Sequence, residues 1–383
     1  MEFLKPIRQR FAVEYDYTLH FTQDVFGADN PLLYELLKDY SSQGKVKLLA
    51  VVDDAVSQAH PDLSDKIAAY GKHFADNMVI TEVLVVSGGE KAKVDTAHLN
   101  AVLEAIDGNR ICRHSFVLAI GGGALVDMVG YAAAIAHRGV KLIRIPTTVL
   151  SQNDAAVGVK NSVNIFGKKN FLGTFAPPFA IINDSDFLTT LEKRDWVSGI
   201  AEAVKVALIK DATFYGYLEA NAKALARREM EPMQYLIHRC AELHMQHIAQ
   251  GGDPFESGSS RPLDFGHWAA HKLEQLTQYE LRHGEAVAIG MALDVTYAHL
   301  IGMIDATTLE RIKTTLTDSG FELKIPIEKG QEDSLLVGLE EFREHLGGEL
   351  CITLISEIGK KVDVDTIDKE TMKKAMWQLN QWS

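Results

Sequence analysis

Three consecutive glycines, Gly121, Gly122 and Gly123, separate the apolar run SFVLAI (115–120) from a stretch with helical apolar spacing, ALVDMVGYAAAIA (124–136). A strand that runs into such a turn and out into a helix is the repeating joint of a parallel sheet covered by helices. The residues before it keep the same rhythm. VKLLAVVDDAV (46–56) reads as a strand ending in acids, and HPDLSDKIAAYGKHFAD (60–76) as a helix. TEVLVVSGGEK (81–91) is strand-like, KVDTAHLNAVLEAIDGN (93–109) amphipathic, and KLIRIPTTV (141–149) one more strand. The first half is therefore expected to be an α/β domain built on a parallel sheet.

Past about residue 185 the texture changes. DWVSGIAEAVKVALIKDATFYGYLEANAKALARR and GEAVAIGMALDVTYAHLIGM carry helical apolar spacing with little β-branching. The chain has 383 residues, more than the roughly 250–300 at which a single core stops growing. We expect an α/β domain over 1–184 and an α-helical domain over 185–383, packed around one cleft because no Pro-rich or low-complexity linker parts them.

Charge and cysteine usage narrow the function. A formal charge of −13 argues against a nucleic-acid partner, which needs a basic face, yet leaves room for a locally basic pocket holding an anionic small molecule. Cys112, Cys240 and Cys351 are odd in number and far apart, which suits reduced thiols in a cytoplasm. The N-terminus lacks an apolar signal core, and no run reaches about 18 apolar residues. The sequence predicts a cytoplasmic protein with no membrane partner.

Several segments carry chemistry. The glycine turn lets backbone N–H groups approach a pyrophosphate at a helix N-terminus, although a plain tight turn gives the same pattern. Asp53, at a strand end, can accept from a ribose hydroxyl, and SGGEKAK offers Glu90 and Lys93 in another strand-end loop. Dinucleotide binding is the better reading of the three together. Residues 146–175 mix Thr147, Thr148, Asp154, Lys160, Lys169 and Asn170 with glycines, as loops that hold phosphate oxygens do. The stretch Asp253–His283 gathers Asp264, His267, His271 and His283, with Glu202 upstream. One Glu and two His from separated segments make a catalytic metal site with open positions. His267 and His271 share a helix face at i, i+4, but no Glu follows His267. Spacing does not rank His271 against His283.

GGGALVD, IPTT, the loop from Asp154 to Lys160, GKKN, GIAEAVK, DFGHWAAH and RHGEAVAIGM stand in one order. In that order, from about Asp53 to Gly348, the chain resembles dehydroquinate synthase and its relatives, the sugar phosphate cyclases. The resemblance implies a Rossmann-like NAD-binding domain, a C-terminal α-helical metal-binding domain, and a homodimer with the active site between domains. It implies metal ligands Glu202, His267 and His283, for Zn2+ or Co2+, with His271 turned toward substrate. NAD is implied on Asp53, Glu90, Lys93, Gly121, Gly122, Gly123, Asp127, Thr147, Thr148 and Lys169, and on Thr190 and Leu191 of FLTTL. Ala55 stands where these synthases usually carry Asn. Substrate contacts are implied at Asp154, Lys160, Asn170, Lys205, Asp264 and Arg261, and Arg138 resembles the arginine that reaches phosphate in the neighbouring subunit.

The departures from the family pattern point to the substrate. Asp264 precedes FGH where dehydroquinate synthases carry Asn, and no lysine occurs between Lys223 and Lys272, where those enzymes anchor a carboxylate. GGDPFE, RPLDFGHW and EEFREHLGG resemble the branch that cyclises sedoheptulose 7-phosphate, a sugar phosphate with no carboxylate. An unpaired lysine there would disfavour it. The implied reaction is oxidation by tightly held NAD+, β-elimination of phosphate, return of the hydride and an aldol closure. Its net result is that of a lyase. Lys205, with a neutral or shifted pKa, and His271 are the expected proton-handling groups, alongside Asp154 and Asp264 as catalytic residues. Dehydroquinate synthase is the first alternative; a metal-dependent polyol dehydrogenase of glycerol dehydrogenase type, with net NADH production, is the second.

Overall fold

In the computed structural model, residues 6–251, 255, 262–328, 330–345 and 348–381 are described. Six strands form a parallel sheet: β1 (Thr18–Thr22), β2 (Val46–Asp53), β3 (Met78–Val86), β4 (Phe116–Gly121), β5 (Lys141–Pro146) and, later in the chain, Ala180–Asp184. Between them lies an antiparallel hairpin of β6 (Lys160–Ile165) and β7 (Lys168–Phe175), so the sixth sheet strand is β8. The order across the sheet is β1-β8-β5-β4-β2-β3. Both faces are covered, as an all-parallel sheet requires. Along β2, Leu48, Ala50 and Val52 pack into one apolar cluster while Leu49 and Val51 pack into another on the opposite face. That is the two-residue side-chain alternation of a strand.

The order reverses between β2 and β4: from β2 the chain steps outward to β3, then returns to the other side of β2. The crevice at the carboxyl ends of two such strands is the ligand position of open α/β sheets. Asp53 ends β2, Gly121 ends β4, and helix α1 (Gly123–Ile135) leaves directly from the glycine turn. Asp53 and the glycines are close neighbours. A Cβ on Gly88 would fall 1.9 Å from the Asp53 carboxylate, and one on Gly121 3.0 Å from Asp53 Cβ.

Two features differ from the sequence reading. The lysine-bearing segment 160–175 is a hairpin and not a loop: Lys160 lies on β6, and Lys169 and Asn170 on β7. Strand β1 also adds parallel to β8 at the sheet edge.

The second half is largely helical, as expected, with α2 (Ile200–Lys210), α3 (Met230–Gln250), α4 (His267–Leu276) and α5 (His283–Leu300) around one large apolar cluster. It also holds a hairpin the sequence reading lacked, β9 (Ile352–Glu357) with β10 (Lys360–Val364). Gly359, at φ +86°, makes its turn against Ala212, where a Cβ would lie 2.7 Å from the Ala212 nitrogen. Among the described residues no helix is long and apolar enough to cross a membrane, and no disulfide joins Cys112, Cys240 and Cys351.

Candidate active site

Helices α2, α4 and α5 bring their first turns together. Glu202 sits in the first turn of α2, His267 opens α4, and His283 opens α5. The close approach of α4 to α5 depends on glycine. Gly266 has φ +77°, and a Cβ on Gly290 would lie 2.0 Å from the Gly266 carbonyl oxygen. Asp294 fastens the same corner, accepting from Gly266 N–H at 3.1 Å and Trp268 Nε1–H at 2.9 Å. Burial pushes the Asp294 carboxyl up to about 7, against the lowering effect of both donors.

Glu202, His267 and His283 offer three ligand atoms all within 4.8 Å of one another. Glu202 Oε1 lies 3.6 Å from His283 Nε2 and 3.8 Å from His267 Nε2. His267 Nδ1–H donates to the Phe265 carbonyl at 3.0 Å, which leaves Nε2 unprotonated and turned to the cluster. His271 shares the helix face with His267, their rings 5.5 Å apart, but it is exposed and stands outside the trio. The spacing left His271 and His283 open; the ligand trio that forms contains His283.

This donor set fits a divalent cation. Glu202 is fully buried, and its Oε1 has no hydrogen-bond donor while facing two imidazole nitrogens. A buried carboxylate oxygen left that way is costly unless a cation meets it. Burial, aided by Lys205, pushes His267 well below the usual imidazole range, so it is neutral and ready to ligate. Burial opposes charge on His283, but Glu202 and Glu274 outweigh it and raise the imidazole to about 9. A cation would take the place of that proton. Glu202 and Glu274 are both held at about 2, where burial is outweighed by Lys205 and His283 for Glu202, and by His283 and Lys169 for Glu274.

Lys205, one turn along α2, places its ammonium against Glu202 Oε2. Burial would lower its pKa, yet Glu202, Asp154 and Asp264 together raise it above the ordinary lysine value. Of the two expectations, a neutral or a shifted amine, the geometry favours the shifted one, an ammonium. Asp154 lies in a π-helical turn, Ser151–Ala155, with Oδ1 3.0 Å from His244 Nδ1. Burial and Glu202 push its carboxyl up, but His244 and Lys205 hold it below the usual value.

Two cavities flank the cluster. A cavity of about 430 Å³ is lined by Asp154, Lys160, Asn170, Lys205, Asp264 and His267. On the other side, a cleft of about 220 Å³ runs from Gly122, Gly123 and Thr148 past Glu90 and Lys169 to His283. Its glycine end fits a dinucleotide phosphate. The N-terminus of α1 opens onto it, and a Cβ on Gly123 would fall 2.9 Å from Ala155 Cβ.

Other expected residues take less expected positions. Asp53 caps its own helix, Asp54–Ala59, by accepting from Ala55 N–H at 2.9 Å. Glu90 accepts from Asn164 Nδ2 at 2.6 Å. Lys93 and Asp127, assigned with the dinucleotide, meet Asn170, assigned with the substrate. The buried Lys93 ammonium bonds Asp127 Oδ2 at 2.7 Å, Ser162 Oγ at 3.0 Å and Asn170 Oδ1. Asp127 lines the larger cavity and not the glycine cleft. Thr147 is buried and donates its N–H to Gly121 O at 3.0 Å, and Thr148 Oγ1 bonds Ser151 Oγ at 2.8 Å. Thr190 lies beyond both cavities with Oγ1 2.9 Å from His60 Nε2, and Leu191 packs on the helical core. Arg138 is exposed past the far end of α1. That helix has 13 residues, or roughly 20 Å at about 1.5 Å each, which puts Arg138 out of reach of its own chain's glycine turn. Arg261 lies outside the described residues.

Sequence reasoning missed His244 and Glu274. Glu274 had a signal: it lies seven residues after His267, two turns along one helix face. His244 carried none.

Residues 83–198 match the model of the 3-dehydroquinate synthase N-terminal domain and residues 199–340 that of its C-terminal domain. The chain belongs to the 3-dehydroquinate synthase family of sugar phosphate cyclases. Within this family it is 31% identical over 366 residues to a 3-dehydroquinate synthase of Shewanella sp. (strain MR-4), covering 95% of this chain and 96% of that one. It is 32% identical over 369 residues to a 2-epi-valiolone synthase of Actinosynnema mirum, covering 95% and 92%. The structure of a 2-epi-5-epi-valiolone synthase from Streptomyces hygroscopicus, with NAD+ and Zn2+ bound, superposes with a TM-score of 0.88 at 29% identity, over 98% of this chain and 100% of that one. The two family models meet at Ser198 and Gly199, directly ahead of the helix that carries Glu202.

Proposed function

We propose that this family member is an NAD- and metal-dependent lyase that converts sedoheptulose 7-phosphate to a carbocycle with release of phosphate. The observation that carries the substrate choice is the lining of the larger cavity. Asp127, Asp154 and Asp264 face it, Lys205 is engaged by Glu202, and Lys160 is the other lysine among the described lining residues. A substrate carboxylate would meet acids there; a sugar whose reacting end carries hydroxyls alone meets hydrogen-bond acceptors.

Glu202, His267 and His283 would hold Zn2+ or Co2+, and the glycine cleft with Thr148 and Lys169 would hold the dinucleotide. When bound, the cation polarises vicinal oxygens and NAD supplies reversible hydride uptake. Lys205, kept as an ammonium between carboxylates, orients the substrate and offers positive charge. His271, exposed beside the ligand pair, is left as the proton-handling imidazole. Asp154 is steered by His244, and Lys160 and Asn170 meet the phosphate end. We further place the chain in a cytoplasmic homodimer, with Arg138 reaching the partner's phosphate site.

The 31% identical 3-dehydroquinate synthase supports a second reading, with that enzyme's carboxylate-bearing substrate. Incubation with each substrate in turn separates the two. Phosphate release from sedoheptulose 7-phosphate, a cyclic product by NMR and no net NADH are expected. Phosphate release from the carboxylate substrate alone overturns the proposal, and steady NADH production from a simple polyol makes the chain a dehydrogenase.

A further inference from the structure

We infer that Glu274 is a positioning residue shared by the metal site and the dinucleotide cleft, so that occupancy of one is felt at the other. The inference rests on the proposed reading of those two sites. Glu274 is only 5% exposed on α4, and each carboxylate oxygen holds a different donor. Oε2 lies 3.2 Å from His283 Nδ1, and Oε1 lies 3.2 Å from Lys169 Nζ. His283 comes from the helical half of the chain and Lys169 from the β6–β7 hairpin. One carboxylate therefore joins two segments that the sequence separates by more than a hundred residues.

On the metal side, Nδ1–H bonded to a carboxylate fixes the tautomer. Nε2 then presents its lone pair to Glu202 and His267, and the ring cannot swing away. On the other side, Lys169 lines the same cleft as Gly122, Gly123 and Thr148, and its ammonium has Glu274 as anchor. A cation on His283 Nε2 draws electrons from the ring and makes Nδ1–H a stronger donor. Glu274 is then held more firmly, and so is the lysine that faces the dinucleotide. By linkage the effect is reciprocal: bound dinucleotide, by ordering Lys169, tightens the brace on His283. A glutamine cannot replace this carboxylate, because its amide has one acceptor oxygen for two donors.

The test measures binding on the full-length chain and needs no turnover. Zn2+ affinity is determined by chelator competition with and without NAD+, and NAD+ affinity by titration with and without Zn2+. In the wild-type chain each ligand is expected to strengthen the other by the same factor, about 5-fold or more. Glu274→Gln is expected to weaken Zn2+ by about 10- to 100-fold and to bring the coupling factor to one. Glu274→Asp should recover part of both, with circular dichroism confirming that each variant folds. Lys169→Met should lose the coupling while keeping Zn2+ affinity within a few-fold. A chain that binds both ligands, but whose Glu274→Gln variant keeps wild-type Zn2+ affinity and coupling, overturns the role of Glu274 alone. A wild-type chain that binds neither ligand overturns the proposed function, and this inference with it.

Discussion

At the scale of single residues, the site turns on which imidazoles face Glu202. His267 and His283 point Nε2 at its Oε1, while His271 stands exposed one turn along α4. His283→Ala should therefore remove both bound metal and turnover. His271→Ala should keep one metal per chain and lower kcat by on the order of 10²- to 10⁴-fold. Elemental analysis beside phosphate release tells them apart, and unchanged metal content in the His283 variant sinks the ligand assignment. Helical period put His267 and His271 on one face, and that much could be read from spacing. The choice of His283 could not, because it depends on where the first turn of α5 docks against α2. Glu274 and His244 were hidden for a related reason: each becomes functional through contact with a residue far away in sequence, Lys169 for Glu274 and Asp154 for His244.

At the scale of elements, the corner where α4 meets α5 holds the proposed metal ligands in place. Asp294 ties Gly266 and Trp268, on either side of His267, to the middle of α5. Its carboxyl has an ordinary value of 3.8 and is raised to about 7 in the fold. A raised carboxyl binds its proton more tightly folded than unfolded, so its stabilising contribution is full below 3.8. That contribution is lost as pH rises through about 7. Melting temperature should accordingly fall between about pH 5 and pH 8, and the fall should be smaller in Asp294→Asn. Thermal melts across that range decide it; parallel curves would rule out Asp294 as the source. Element types were largely legible, since β2 and β4 are continuous apolar runs and α2 and α5 keep helical spacing. The β6–β7 hairpin was not, because its lysines and glycines resemble a phosphate loop, and its strands pair only with each other.

At the scale of the whole molecule, the glycine turn and the metal trio belong to different halves of the chain and flank one pair of cavities. Arg138, at the opposite end of α1 from the glycine turn, is not among the lining residues of either cavity in its own chain. If it serves the partner's site, Arg138→Ala and His283→Ala chains, each inactive alone, should complement when unfolded together and refolded. Random pairing of two chains gives about a quarter of wild-type activity, read as phosphate release. Silence of the mixture would show that Arg138 does not act across a dimer. The sequence by itself determined the α/β first half, the helical second half, the glycine turn at a strand end and the set of groups available to metal and phosphate. Those follow from side-chain periodicity and residue chemistry, which are local. Only the tertiary structure decided that His283 completes the trio, that Lys205 is held as an ammonium, and that Glu274 links His283 to Lys169. Each of these depends on burial and on a charge brought from a distant segment, and neither quantity exists until the helices have packed.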